Sequence, residues 1–223
     1  MGKFIVIDGT DGSGKATQTE LLIERLNQAG FKAVKISFPQ YGKKSAGLIN
    51  EYLNGAYGTA EAVGPWRASI FYACDRYDGA RAIRQALDEG KIVVADRYAL
   101  SNMAHQGGKI ANDQERQTFF AWLDNLEFKI FNIPRPDLNL ILHVAPAIGQ
   151  QLVDAKQPRD YLKAGKRDIH EADLHHLEQA EKIYLQLAEI VPNTKIIECV
   201  KDNQIMNREE ISNLVWEQVT NLI

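Results

Sequence analysis

Gly9, Thr10, Asp11, Gly12, Ser13, Gly14 and Lys15 form a G-x-x-x-x-G-K run near the start of the chain. The run follows an apolar, strand-like stretch, Phe4-Ile5-Val6-Ile7, and opens a stretch of helical period, which is the context such a run needs to wrap phosphate groups. The glycines let the backbone curl round an anion, successive N–H groups point inward, and the helix N-terminus adds its positive dipole end. Lys15 supplies a charge for β- and γ-phosphates. The next position is Ala16, where Ser or Thr would ordinarily hold magnesium. Thr17 follows, but it lies about 100° further round a helix and cannot simply stand in. Either magnesium is held chiefly by phosphates, water and carboxylates, or the loop binds phosphate without efficient chemistry. The first reading is preferred, because the rest of the chain is furnished for catalysis. The phosphate contacts are expected from Gly9 through Thr17.

A second group centres on Val93-Val94-Ala95-Asp96-Arg97-Tyr98, a buried-looking strand that ends in an acid and an arginine. In an open parallel sheet ligands sit beyond the carboxyl ends of the strands. Asp96 is therefore expected beside the phosphate loop as a magnesium-side acid, with Arg97 facing the phosphates. A strand-Asp-Arg seen alone reads equally well as a structural ion pair. Phe38, Pro39, Gln40 and Tyr41 end the second strand, Tyr72 and Arg76 share a helix, and a turn at residues 101–106 carries Asn102, His105 and Gln106. Together they offer aromatic surface to stack a base, arginines to pair a phosphate and amides to read base edges. Each also has a plain alternative: Tyr72 as a core aromatic, Arg76 as a surface ion pair, and Asn102 as the cap of a helix that Ser101 opens.

The elements that must position these residues alternate. Strands are predicted at Lys3–Asp8, Ala33–Phe38, Ile92–Asp96, Leu138–Val144 and Lys195–Glu198, and four of them lack polar alternation, as strands buried on both faces do. Helices are predicted from Lys15 to Ala29 with Gly30 as the stop, before Gly90, through Leu177 to Val191, and from Asn207 with Glu210 as a capping-box partner. The fold class is α/β, a three-layer α/β/α sandwich on a parallel sheet of about five strands, in one domain spanning 1–223. Two segments stand apart: Tyr41–Gly64, rich in Gly, Tyr and Asn, and a basic stretch with Lys156, Arg159, Lys163, Lys166 and Arg167. Such a stretch is most simply a solvated face; late in a phosphate-binding fold it reads as a lid at about residues 156–168.

The net charge of −3 and the sequence pI of about 6.0 give no electrostatic case for nucleic acid or an anionic membrane. No apolar run approaches the ~18 residues of a membrane span, and the N-terminus shows no signal-peptide pattern. Cys74 and Cys199 have no metal or redox spacing and read as reduced thilos of a cytoplasmic protein.

Across nearly its whole length the sequence resembles the thymidylate kinases. The resemblance rests on Asp8-Gly9 with Asp11 and Lys15 in the loop, Phe38-Pro39, Tyr72 through Arg76, Asp96-Arg97-Tyr98 with Ser101, Pro136-Asp137, and, more loosely, Asp168 with Glu171. It implies transfer of the ATP γ-phosphoryl group to dTMP, with ATP and Mg2+ bound and a homodimeric assembly. It implies that Asp11 lies near the sugar and magnesium, that Arg76 and Arg97 reach the acceptor phosphate and base, that Tyr72 replaces the stacking Phe, and that Asn102 and Gln106 read the base. Glu171 would help hold magnesium through water. The loop lacks the arginine some members carry, so Arg159 in the lid is the candidate for that charge. The family pattern is broken at Ala16, at Gln40 (an arginine elsewhere, so one acceptor-phosphate contact is weakened), at His105 (Tyr or Phe at the sugar 2′ side), at Leu152 and at His143. The alternatives are a kinase of another nucleoside monophosphate or deoxynucleoside, and a nucleotide-binding regulator with little turnover.

Overall fold

Strand β1 (Lys3–Gly9) is the axis of the molecule: six of its seven residues are buried, and it pairs in parallel with β3 (Ile92–Asp96) on one side and β4 (Leu138–His143) on the other. The computed structural model describes residues 2–149, 174–202 and 204–223. With β2 (Ala33–Ser37) and β5 (Thr194–Glu198) at the edges, the sheet runs β2-β3-β1-β4-β5, all parallel. Every strand expected from the sequence is present to within a residue.

Alternation on β1 feeds two cores. Ile5 and Ile7 pack with Leu22 and Leu26 of α1 (Lys15–Gln28) and with Ile211, Val215 and Val219 of the last helix, α7 (Arg208–Thr220). Phe4 and Val6 face the other way, onto Ala80 and Ile83 of α3 (Ala60–Asp88) and onto Tyr98. A further cluster joins Ile141 of β4 to α4 (Ala99–Gly107), α5 (Asp113–Asp124) and α6 (Leu174–Ile190). Helices thus cover both faces, the arrangement that continuous apolar strands require.

The helix ends follow local chemistry. Gly30, at φ 89°, closes α1. The side chain of Asn207 accepts from the amides of Glu209 and Glu210, and Glu210 reaches back to the Asn207 amide, completing the expected capping box of α7.

Four features depart from the sequence reading or add to it. Residues 101–106 are not a turn: they lie inside α4, whose cap is Tyr98, so Asn102 caps nothing. Tyr41–Gly64 contains a 3-10 turn (Lys44–Ala46) and a short helix α2 (Gly47–Leu53), which buries Ile49, Tyr52 and Leu53 beside Phe71 and Tyr72. Gly64, at φ 74° and ψ 161°, breaks α3 just before Pro65. A two-stranded antiparallel pair, Val200–Lys201 with Gln204–Ile205, was not expected. No described helix is long and apolar enough to cross a membrane.

Candidate active site

The sheet order places the carboxyl ends of β1 and β3 side by side, with Ile7 opposite Asp96 in register. Above them the phosphate loop leaves β1 and enters α1. Gly14 caps α1 in the left-handed region (φ 90°) without any side-chain cap, so the first amides of the helix are left for a ligand. Gly12 is required by crowding: a β-carbon there would stand 2.1 Å from the carbonyl oxygen of Gly149. Lys15 is buried, and its ammonium donates to the Thr10 carbonyl at 2.7 Å, with Asp11 at 3.9 Å. Burial, and next the nearby Arg97 guanidinium, pull the Lys15 pKa down to about 8, against the opposing pull of Asp11, Asp96 and Asp8. A polyphosphate at this point would restore the full charge.

Arg97 follows the strand-end acid with φ 67°, a conformation a non-glycine residue adopts only under outside constraint. Its amide donates to the Ile7 carbonyl at 3.0 Å, which ties the turn to β1. The side chain folds over the loop. Nη2 donates to Asp11; Nη1 donates to Ser101 Oγ at 2.8 Å, lies 3.2 Å from His105 Nε2, and is 3.4 Å from the Gly9 carbonyl. Burial opposes its charge, but Asp11 and the neighbouring groups outweigh it and push its pKa up. Below Ser101, the Tyr184 hydroxyl stands 2.9 Å from Ser101 Oγ and donates to Asp8 Oδ1 at 3.1 Å. Asp8 is fully buried, one carboxylate oxygen has no partner among the described residues, and burial raises its pKa despite Arg97.

At the far side of the same cavity Arg76 meets Glu127, which belongs to a single π-helical stretch after α5 (Asn125–Ile130). Nε donates to Oε2 at 2.5 Å and Nη2 to Oε1 at 2.6 Å, both groups buried. The bidentate pair leaves Nη1 outside it. Asn102 donates to the Ser69 carbonyl at 3.2 Å and towards Glu127 at 3.5 Å, while its Oδ1 is without a partner among the described residues. Reversing the amide would set oxygen against two oxygens, so this orientation is chemically required. Lys109 donates to Gln106 Oε1 and to the Tyr52 hydroxyl, both at 2.9 Å. The cavity measures about 400 Å³, the size of a small-ligand site.

A family model described as thymidylate kinase matches residues 7–211, most of the chain. This chain belongs to the thymidylate kinase family. Curated thymidylate kinases of Mycobacterium tuberculosis (28% identical over 186 residues, 83% of this chain and 85% of that one) and Clavibacter sepedonicus (32% over 173 residues, 76% and 77%) are among its relatives. A solved thymidylate kinase from Candida albicans shares the fold, with TM-score 0.74 at 23% identity, covering 99% of this chain and 92% of that one.

For a thymidylate-kinase-family chain, the convergence is extensive. Asp11, Gly12, Gly14, Lys15, Ala16, Phe38, Pro39, Tyr41, Tyr72, Arg76, Asp96, Arg97, Asn102, His105 and Gln106 all line the one cavity. Gly9, Thr10, Ser13 and Thr17 do not line it; Thr10 and Ser13 are buried beneath the loop. Arg159, Glu171 and the segment 156–168 lie outside the described residues. Arg76 is no surface ion pair, being 2% exposed. Gln40 is likewise buried: its amide N–H donates to Asp75 at 2.8 Å, and its side chain donates to the Asp75 carbonyl at 3.0 Å and to Asp78 at 3.2 Å. In this structure it braces the loop after β2 against α3. Glu127, Tyr184 and His176 were missed. Each reaches the site from an element distant in sequence.

The donor set suits magnesium. Asp11 and Asp96 bring hard carboxylate oxygens to the cavity wall, and no cluster of three or more acidic, His or Cys ligands occurs among the described residues. Magnesium is ordinarily held by one or two carboxylates, water and substrate phosphates, so that set is sufficient.

Proposed function

We propose that this protein transfers the γ-phosphoryl group of ATP to the 5′-phosphate of dTMP, giving dTDP and ADP. The observation that carries the choice of acceptor is on the cavity wall, which both side chains line: Arg76 Nη1 is a donor left over by Glu127, and Asn102 Oδ1 is an acceptor without a partner among the described residues. Thymine presents O4 as acceptor and N3–H as donor. Cytosine presents the reverse, an amino donor and a bare ring nitrogen. The protein edge is complementary to the first and opposed to the second.

The chemistry asks for alignment more than for covalent participation. An oxygen of the dTMP phosphate attacks the γ-phosphorus in line while the bond to the ADP oxygen breaks. The phosphate-loop amides and Lys15 hold the donor phosphates; Arg97 supplies positive charge where the two anions meet; Arg159 is the candidate for a further charge in the transition state. Asp11 and Asp96, with Glu171 through water, would hold magnesium, which supplies charge neutralisation across the phosphates when bound. Phe38, Tyr41 and Tyr72 present aromatic surface to base and sugar.

The reading includes a cytoplasmic setting, consistent with the two free thiols Cys74 and Cys199. It also includes a homodimer. In its support, Ile70 and Tyr77 are exposed two turns apart on α3, and Tyr77 packs on Phe131 next to the exposed Ile130.

The test is a panel of kcat/KM values with ATP and magnesium for dTMP, dUMP, dCMP, dGMP and AMP. dTMP is expected first. dUMP, which lacks only a methyl group, should follow within roughly 10–200-fold, and dCMP should fall further because it leaves buried polar groups mismatched. A purine monophosphate or an unphosphorylated nucleoside in first place overturns the assignment.

A further inference from the structure

Nη1 of Arg97 carries two hydrogens and meets three groups, of which Ser101 Oγ at 2.8 Å and His105 Nε2 at 3.2 Å are nearer than the Gly9 carbonyl at 3.4 Å. A guanidinium cannot accept, so His105 Nε2 must be the bare nitrogen and its ring proton must sit on Nδ1. That Nδ1 lies 3.2 Å from Nε2 of His176, on α6, which must then be the acceptor. The chain of three side chains therefore has one consistent polarity: Arg97 donates to His105, and His105 donates to His176.

The rings are held as well as bonded. His105 stacks on His176 with centroids 5.4 Å apart and planes 28° apart, and it meets the edge of Tyr184 at 6.0 Å and 90°. His176 is only 8% exposed. Tyr184 is also bonded to Ser101, another partner of Nη1. Two residues of α6, about two turns apart, thus converge on a single nitrogen of Arg97 through two intermediaries.

We propose that His176 is a positioning residue for Arg97 and acts through His105. His176 does not itself line the cavity but backs His105, which does; its role is to fix the tautomer of His105. Without its acceptor nitrogen, the contact with Arg97 is the one bond of this chain left to hold the His105 proton on Nδ1. A proton on Nε2 would set donor against donor at Arg97 and remove one of the contacts that orient the guanidinium, leaving it to Asp11, Ser101 and the Gly9 carbonyl. The proposal rests on the dTMP kinase reading for its kinetic consequence but not for its structural one.

His176→Phe keeps a stacking ring and removes the acceptor, whereas His176→Gln returns an acceptor oxygen. Steady-state kinetics for ATP and dTMP, melting temperatures and 15N imidazole NMR decide the matter. Expected for His176→Phe is a kcat lower by on the order of tenfold with little change in KM for ATP, and a His105 signal moved toward the Nε2–H tautomer. His176→Gln should recover most of kcat and the Nδ1–H signal. In the His105→Ala background, His176→Phe should add nothing. The proposal is overturned by unchanged kcat in His176→Phe, by equal loss in both His176 variants, or by effects that add in the double variant. An Nε2–H tautomer at His105 in the unaltered protein overturns it even if no variant folds. Absence of dTMP phosphorylation by the unaltered protein would count against the function, while the NMR result still decides the relay.

Discussion

Arg76 and Glu127 meet through two parallel hydrogen bonds, 2.5 Å and 2.6 Å long, with both side chains shut away from solvent. The pair spans 51 residues of sequence and binds α3 to the π-helical stretch. It also decides which nitrogen of Arg76 is left for a substrate.

Glu127→Ala should therefore do two things. It strands a buried guanidinium, which typically costs about 3–5 kcal/mol, and it frees Arg76 to turn, which raises KM for dTMP. Arg76→Met combined with Glu127→Leu should recover most of the stability, since an apolar pair of similar volume replaces an ionic one. It should not recover dTMP affinity. Urea unfolding and dTMP titration separate the two effects. Recovery of both by the double variant would show that Arg76 is structural only.

Lys15→Met should abolish turnover and leave the fold intact. It should also stabilise the ligand-free protein. The folded pKa of about 8 lies below the ordinary 10.5, so the folded state carries a cation it holds poorly. By linkage, stability rises with pH between those two values and is lowest where Lys15 is charged. Removing the charge should add about 1–3 kcal/mol near pH 7. Thermal unfolding without nucleotide checks the gain, and retained turnover would show that the donor site is misplaced.

His143 lies between Glu198 Oε2 at 2.7 Å and Glu181 Oε1 at 2.9 Å, joining β4, β5 and α6. Partial burial opposes its charge, but the bonds to Glu198 and then Glu181 outweigh it and hold its pKa above 6.5. The folded pKa exceeds the unfolded one, so its stabilisation is complete below about pH 6.5 and is lost as pH rises through the folded value. His143→Gln should flatten this part of the stability–pH curve and cost most at the acid end. Melting temperatures from pH 5.5 to 8.5, the range about the ordinary histidine value, read this directly. An equal loss at every pH would rule out a charge effect.

Arg159→Ala is expected to lower kcat by on the order of 10²-fold and to move KM little, because a charge that acts in the transition state contributes little to ground-state binding. Steady-state kinetics test it, and an unchanged kcat would transfer the role to Lys163, Lys166 or Arg167.

The part of the candidate site assigned to the phosphate donor was legible as a cavity wall because its residues are contiguous. Gly9 to Lys15 carry their own geometry, and Asp96-Arg97 sits at a strand end where topology must deliver it. The acceptor half is assembled from a distance. Glu127 lies in an unremarkable stretch between two helical turns, and nothing local marks it as the partner of Arg76. Tyr184 fits the apolar spacing of α6 and so reads as core. Its ring is core, but its hydroxyl reaches Asp8 and Ser101. Periodicity shows which face of a helix is buried, not which polar tip meets which neighbour. Residues 101–106 misled because Ser and Asn suit helix caps, and here tertiary packing draws both into a helix that begins at Ala99.

The close approach of Gly12 and Gly149 has a mechanical meaning. A β-carbon on Gly12 would strike the Gly149 carbonyl at 2.1 Å, and one on Gly149 would strike the Asp11 carbonyl at 2.7 Å. Where side chains intervene, a push is absorbed by rotamer changes. Here two main chains bear on each other with nothing compliant between them. A shift of the loop towards residue 149 would therefore meet main chain directly, with no side chain between the two to give way.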